Sequence, residues 1–510
     1  VLFKKNSAVE NSGCSLMCFS LGYKDMKYSI PQEVSDVLLA LDEASFEAYI
    51  VGGSVRDLIL EKSPKDWDLT TNALPEQVQE IFPDNFCENA FGTVGVKTIP
   101  FLADGKEGRE HDVIEVTTYR TESAYSDNRR PDNVTFAKTL EEDLSRRDFT
   151  INALALDHKQ KLFDFYSGQE DAENKIIRAV GDADVRFKED ALRMMRAVRL
   201  SAELHFEIET STHQAIKDNS SLLKNISLER IQSEFSRIVM SDHAMYGIQM
   251  LHDTGLLQFI APELELGIGV EQNHHHIYTV WEHNLRALDT CPSKKLSVRL
   301  ATLFHDVGKP ESKRGKGREC TFYSHEYIGE RITRRILKRL KYPTSVVEHA
   351  SLLVRNHMFY YSVDEVTEAA VRRIIKKVGK DNMPDLMDVR IGDRLGSGTP
   401  KAKPYKMRHF EYMIDKVSKD PVSVKMLALN GDIMINEMGF KPGPKIGAIL
   451  DTLLAEVIED SSRNSLDYLK ERATELEKQD LQSLRSAAKK RIADEQKAED
   501  TQMRKNHWVQ

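Results

Sequence analysis

The pattern of hydrophobic and polar positions changes character along the chain. Between residues 27 and 120, stretches of helical period alternate with short runs of strand period. Residues 31–41 read as an amphipathic helix, and residues 73–83 as another, opened by Pro75. Tyr49-Ile50-Val51, Gly92 to Ile99 and Val113 to Tyr119 read as strands, the last through its alternating β-branched residues. This alternation predicts one small mixed sheet. Residues 121–138 are polar, carry Arg129-Arg130-Pro131 and read as a mobile loop. Residues 184–204 have the propensity of one strong helix. From Ile208 to Leu257 the pattern is helical, with Ile231, Phe235, Ile238 and Val239 at the spacing of a core-facing stripe. Residues 396–405 read as a linker, and residues 408–470 return to helices. The last forty or so residues, rich in Lys, Glu and Gln, read as a charged helix or a disordered tail. Residues 1–25 read as a loose extension, with organised sequence starting just after Met26.

Composition narrows the class. A chain of 510 residues holds two to four domains at roughly 100–200 residues each. With 40% apolar and 30% charged residues it reads as a globular, soluble protein. No apolar run reaches the length of a membrane span. The five scattered cysteines suit a reducing, cytoplasmic setting better than a disulfide framework. A net charge of -8 gives no global basic signature, so any nucleic-acid contact must come from local basic patches.

The stretch YIVGGSVRDLILEKSPKDWDLTT, residues 49–71, concentrates chemistry. A strand breaks at Gly52-Gly53, a short helix follows, and a second strand-like run carries Asp66 and Asp68. Side chains two apart on a strand share a face, so two carboxylates can share a hard cation such as Mg2+. The glycine pair lets backbone approach a phosphate. A DxD pair alone is most often a turn or surface feature; the Gly-Gly and the helix bearing Arg56 and Asp57 make a metal-nucleotide site the better reading. A third carboxylate is open between Asp112 and Glu115.

Further on, Arg146, Arg147 and Asp148 lead into an apolar run that contains Asn152. This asparagine either caps a turn or holds a ribose or base. In the helix of residues 184–204, Asp190 and Arg193 share a face, and Arg196 and Arg199 continue the row. The plain reading is a solvated face with an internal ion pair. The chemical reading is sharper. A carboxylate accepts from an amino group, and a guanidinium donates to a ring nitrogen. An Asp–Arg pair therefore suits the pairing edges of cytosine and adenine and rejects those of uracil and guanine.

Histidines cluster from residue 274. His274-His275-His276 precede His283, then His305-Asp306 in LFHDVGKP, then His325, His349, His357 and Asp393. Adjacent His-Asp flanked upstream by His and far downstream by Asp is the pattern of a helical metal site, and histidine favours a divalent transition metal. The plain reading makes His274, His275 and His349 surface or core residues. GFKPGPKIG at residues 439–447 precedes a helix and suits either a phosphate-backbone contact or an ordinary turn.

Taken in order, GGSVRD with DWD, RRDFTINALA, EDALRMMRAVR, LERIQSEF and FHDVGKP resemble the bacterial CCA-adding tRNA nucleotidyltransferase and poly(A) polymerase family, with an HD domain. The resemblance implies an α+β nucleotidyltransferase head with a small mixed sheet, followed by an all-α neck, HD body and tail. The segments would be an extension at 1–26, the head at 27–178, the neck at 179–270, the HD domain at 271–395 and a tRNA-binding tail at 396–510. It implies addition of CCA to the 3′ end of tRNA from CTP and ATP. Asp66 and Asp68 would hold Mg2+. Gly53 and Arg56 would contact phosphates, and Arg147, Asp148 and Asn152 would position the nucleotide. Asp190 and Arg193 would read its base, beside Arg196 and Arg199. His283, His305, Asp306 and Asp393 would be the ligands of a divalent transition metal in the HD domain. The full-length loop at 121–138 disfavours a CC-only enzyme. A-adding or poly(A) activity, and phosphohydrolysis at the HD domain, are the alternatives.

Overall fold

The computed structural model describes residues 28–87, 92–98, 112–123, 133–273, 277–359, 361–363, 365–418, 424, 427–459, 461–482, 484 and 500–509. The extension at 1–26, the triplet His274 to His276 and the loop at 124–132 lie outside the described residues. The chain divides into two compact units, Val1–Ile226 and Ser227–Gln510.

In the first unit, α1 (Gln32–Glu43) buries Val34, Val37, Leu38 and Leu41, the stripe its pattern requires. Next come β1 (Ala48–Val51), α2 (Gly53–Ile59), β2 (Asp68–Thr71), α3 (Pro75–Ile81), β3 (Asn85–Cys87), β4 (Thr93–Thr98) and β5 (Asp112–Thr118). They are followed by β6 (Arg120–Ser123), β7 (Asn133–Phe136), α4 (Leu140–Ser145), β8 (Leu154–Leu156), β9 (Leu162–Asp164), α5 (Gly168–Glu173) and β10 (Ile176–Ile177). The unit closes with α6 (Ala183–Glu189), α7 (Leu192–Leu204), β11 (Glu207–Ile208) and α8 (Thr210–Asn219). Seven strands form one mixed sheet in the order β3-β4-β5-β2-β1-β8-β9. Only β2 and β5 in it run parallel, with Asp68 opposite Glu115. Ile50, Leu69, Val94, Val96, Ile114, Val116, Leu154 and Leu156 join the α1 stripe in one core.

Three local expectations change. Strand β2 begins at Asp68, so Asp66 lies in the bend before it. The reason is pairing: Val51 opposite Asp68 is the last β1–β2 pair, and Gly52 then turns the partner strand away. The ends of the polar stretch at 121–138 form a two-stranded ribbon, with Arg120 opposite Phe136 and Ser123 opposite Asn133. The helix expected over 184–204 is broken at Asp190, whose backbone is extended at φ -135 and ψ 104. Its carboxylate accepts the Leu192 N–H at 3.0 Å, so a local side-chain bond replaces a helical turn and starts α7.

The regular elements of the second unit are helices: α9 (Leu228–Met240), α10 (Ala244–Asp253), α11 (Pro262–Glu265), α12 (Val280–Asp289), α13 (Leu296–Phe304), α14 (Lys309–Ser312), α15 (His325–Arg339), α16 (Thr344–Asn356), α17 (Glu368–Val378) and α18 (Met383–Gly396). After the irregular 397–404 come α19 (Tyr405–Ser418), α20 (Gly431–Asn436), α21 (Pro444–Glu459) and α22 (Leu466–Leu476). Helices α20 to α22 share a separate core around Met434, Ile449, Leu453 and Leu469. The close approach of α18 to α12 depends on Gly392 and Gly396. A β-carbon at Gly392 would lie 2.7 Å from the Ala287 carbonyl, and one at Gly396 2.6 Å from the Ala287 nitrogen. Bringing α18 this near sets Asp393 beside His283.

Candidate active site and metal centre

The head site is built where β1 ends. Gly52 has φ +79 and ψ -136, a conformation open to glycine and strained for other residues. A β-carbon there would also lie 3.1 Å from Arg147 Nη1 and 3.9 Å from Asp68 Oδ2. The absent side chain thus makes room for a guanidinium and a carboxylate over the same backbone. Asp66 and Asp68 are both exposed at this edge. Part of the Asp68 surface meets solvent, yet the surrounding chain desolvates its carboxyl and pushes it above the ordinary range; Arg147 opposes the rise and the Asp66 charge adds to it. Two carboxylates that repel in this way, offering only oxygen donors, fit a hard divalent cation. The β2–β5 register brings Glu115 to the same sheet face as Asp68, since partners across a parallel pair point the same way. Glu115, not Asp112 three positions earlier at the strand start, is therefore the residue beside Asp68.

A chain of polar contacts runs from the glycine turn to α7. Arg56 packs against Gly53 and donates from Nε and Nη2 to Asp57 Oδ1 at 2.9 and 2.7 Å. Its Nη1 donates to Asn152 Oδ1 at 2.8 Å. Asn152 Nδ2 donates to Asp148 Oδ1 at 3.1 Å. Arg196 on α7 donates from Nε to Asp148 Oδ2 at 2.7 Å. Burial favours the protonated Asp148 carboxyl, but Arg196, the Asn152 amide and Arg193 outweigh it and hold the group well below the usual carboxylate range. Asn152 lies in a single 3-10 turn, Thr150–Asn152, and both sides of its amide are engaged.

Asp143 was not singled out by sequence reasoning, yet it is fully buried beneath this network. It accepts from Arg146 Nη2 at 2.8 Å, from Arg147 Nη2 at 3.4 Å, from the Arg120 N–H at 3.3 Å and from Thr70 Oγ1 at 3.4 Å. One carboxylate thereby ties both motif arginines to strand β2. Burial raises its proton affinity, and Arg146 and Arg147 together overcome that and lower it. The available signal was its spacing: three and four residues before the arginines, on α4, it shares their face.

Asp190 and Arg193 do not form an ion pair in this state. Asp190 accepts the Leu192 N–H at the start of α7, and Arg193 donates to Glu189 Oε2 at 2.8 Å and to the Arg146 carbonyl at 2.9 Å. Arg199 is buried and lies 3.6 Å from Glu203 Oε2 on its own helix.

In the second unit, His283 on α12, His305 after α13, Asp306 and Asp393 on α18 converge in the interior. His283 and His305 are fully buried, with their Nε2 atoms 2.9 Å apart. Asp306 Oδ2 lies 3.2 and 3.3 Å from those two nitrogens, and Asp393 Oδ1 3.3 and 3.6 Å from them. Two imidazoles and two carboxylates facing one point fit a borderline transition metal. Lys309 closes one side, donating to Asp306 Oδ2 and to Gln272 Oε1, each at 2.6 Å. Burial raises the Asp306 carboxyl, but Lys309 and His305 hold it well below its ordinary value. His349 lies apart from this cluster, with Nδ1 2.8 Å from Ser297 Oγ.

Three domain families match the chain in order: the poly A polymerase head domain at residues 48–178, the probable RNA and SrmB-binding site of polymerase A at 205–267, and the HD domain at 273–396. The CCA-adding enzyme of Lactobacillus helveticus is 50% identical over 222 residues, which cover 43% of this chain. The chain spans about half the length of that curated relative, 53%. The CCA-adding enzyme of Geobacillus thermodenitrificans is 32% identical over 454 residues, covering 88% of this chain and 98% of the relative. The crystal structure of the Bacillus stearothermophilus CCA-adding enzyme in complex with CTP superposes with a TM-score of 0.57 at 29% identity, covering 87% of this chain and 96% of that one. With the nucleotidyltransferase head and helical body in place and a relative matched along nearly its whole length, the chain belongs to the CCA-adding enzyme family.

Proposed function

We propose that this chain adds C, C and A to the 3′ end of tRNA from CTP and ATP, in the cytoplasm, with Mg2+ as the head-site metal. The observation that carries the reading is the continuous contact path Arg56–Asn152–Asp148–Arg196, which joins the glycine turn beside Asp68 to the helix at Arg193. A nucleotide whose triphosphate lies at the first end and whose base lies at the second spans that path. The Bacillus stearothermophilus enzyme, crystallised with CTP, supports the choice of nucleotide.

Asp66, Asp68 and Glu115 would hold the metal, which supplies charge neutralisation at the attacking and leaving oxygens of an in-line transfer. The tRNA 3′-oxygen forms a bond to the α-phosphorus, and the bond to the β-phosphate oxygen breaks to release pyrophosphate. Gly53 and Arg56 contact the phosphates. Arg147, Asp148 and Asn152 fix the sugar and triphosphate relative to the carboxylates. Asp190 and Arg193 read the base, the carboxylate accepting the amino group and the guanidinium donating to the ring nitrogen. For this, the incoming base displaces the contacts Arg193 makes with Glu189 and the Arg146 carbonyl. Arg196 and Arg199 support the same helix.

The test is replacement of Asp190 and Arg193 by alanine. Base choice should loosen more than triphosphate affinity falls, measured as the ratio of correct to incorrect nucleotide incorporated; unchanged fidelity refutes the templating role. A second reading coexists with the first. The buried His283, His305, Asp306 and Asp393 cluster favours an additional phosphohydrolase activity on phosphate-monoester or cyclic-phosphate ends.

A further inference from the structure

Arg147 is a cation held between two carboxylates, one buried and one at the reacting edge. Its Nη1 lies 3.1 Å from the point a Gly52 β-carbon would occupy, and Asp68 Oδ2 lies 3.9 Å from that same point. On the other side, Arg147 Nη2 donates to Asp143 Oδ2 at 3.4 Å. Asp143 is the one side-chain hydrogen-bond partner of Arg147 among the described residues, and the Arg147 Nε is buried with none. Arg146 is held differently. Its Nε and Nη2 donate to Asp143 Oδ1 at 3.2 and 2.8 Å, and its Nε also donates to the Arg120 carbonyl at 3.0 Å. Arg146 is therefore fixed, whereas Arg147 hangs on a single long bond.

Asp143 cannot follow Arg147 if that bond stretches. It is fully buried, its Oδ1 also accepts the Arg120 N–H at 3.3 Å, and its Oδ2 accepts Thr70 Oγ1 at 3.4 Å. Thr70 stands two residues after Asp68 on β2, so Asp143 is anchored to the strand that carries the metal-facing carboxylate. Without the Asp143 charge, the carboxylate left beside the Arg147 guanidinium is Asp68, and opposite charges close on one another. An ion pair between Arg147 and Asp68 would occupy oxygens that a divalent cation needs.

We propose that Asp143 is a positioning residue for the head-site metal: it anchors Arg147 and so keeps the guanidinium from closing on Asp68, which leaves that carboxylate free for the cation. This rests on the reading of Asp66 and Asp68 as the Mg2+ site. A buried carboxylate kept for stability alone would not change the metal concentration that the reaction needs.

The test reads the Mg2+ concentration that gives half-maximal incorporation of labelled CTP into tRNA ending before the first C, at constant, saturating CTP. Four full-length chains are compared: the parent, Asp143→Asn, Arg147→Gln and the two substitutions together. Asp143→Asn should raise the Mg2+ midpoint at least about threefold, the scale of a partly exposed ion pair that the metal must displace, and excess Mg2+ should restore most of the rate. Between Arg147→Gln and the double variant the midpoint should not move, because no guanidinium is left to compete. A rate that falls at an unchanged midpoint, or a midpoint that rises equally without the Arg147 charge, overturns the proposal and leaves the metal reading of Asp66 and Asp68 standing. A parent chain with no Mg2+-dependent incorporation overturns both. If Asp143→Asn melts below the assay temperature, Asp143→Asn with Arg146→Gln, which removes one charge of each sign, must show the same raised midpoint.

Discussion

Position 52 carries a steric demand set directly by the head site's own side chains. A methyl group there would meet the Arg147 guanidinium at 3.1 Å and force a strained backbone at φ +79. Gly52→Ala is expected to cost about 1–3 kcal/mol of stability and to slow nucleotide transfer, as read from thermal melts and initial rates on one preparation. Asp66→Ala with Asp68→Ala should behave differently. Both residues are exposed, so the melting temperature should hold, while transfer falls at least about a thousandfold with loss of the metal's charge stabilisation. Surviving transfer displaces the metal assignment. At this scale the sequence was informative wherever chemistry follows from residue type and close spacing. The turn at Gly52-Gly53 was legible because a strand that breaks at two adjacent glycines signals a tight turn, whereas Asp66, expected on the strand with Asp68, lies in the bend before it. Asp143 was harder, because its importance comes from Thr70 and Arg120, which are 73 and 23 residues away in sequence and meet it only through the sheet.

Among the elements, the junction of α6 and α7 shows what propensity misses. Taken together, residues 184–204 have the propensity of one helix, yet the Asp190 carboxylate bonds the Leu192 N–H and divides the run. The break frees Asp190 from a regular helical position and starts α7 at the residue before Arg193. Expecting one straight helix was a propensity argument overruled by a local side-chain hydrogen bond. The link from α7 back to the 3-10 turn is equally non-local. Asp148 accepts from Asn152 and Arg196, 4 and 48 residues away. Asp148→Asn should lower stability by roughly 1.5–3 kcal/mol, the scale of a hydrogen bond to a charged group. The pH dependence carries the sign. The Asp148 carboxyl is depressed in the folded chain, so its contribution is present above the unfolded value of about 3.9 and is lost as pH falls toward the folded value. Between pH 6 and about pH 3 the gap between Asp148→Asn and the parent chain should therefore narrow without closing; a gap independent of pH contradicts this.

At the scale of the whole molecule, two compact units carry two separate polar centres. The mixed sheet and the helical body were legible from hydrophobic period, since strands and helices sort apolar residues differently. The full HD cluster was only partly legible. His325 and His357 lie on α15 and behind α16, and no short spacing connects them to His305-Asp306. Among the described residues, no helix is long and apolar enough to cross a membrane. Because the two centres use different residues on different units, Asp306→Ala should remove any phosphatase activity and leave nucleotide addition within about twofold, since the changed group lies outside the transfer site. The central claim is stepwise addition by one head site. Its most direct measurement supplies tRNAs that end before the first C, the second C and the A with labelled CTP and ATP in Mg2+. C should enter the first two substrates and A the third. Incorporation of A alone, or of neither nucleotide, would contradict the account.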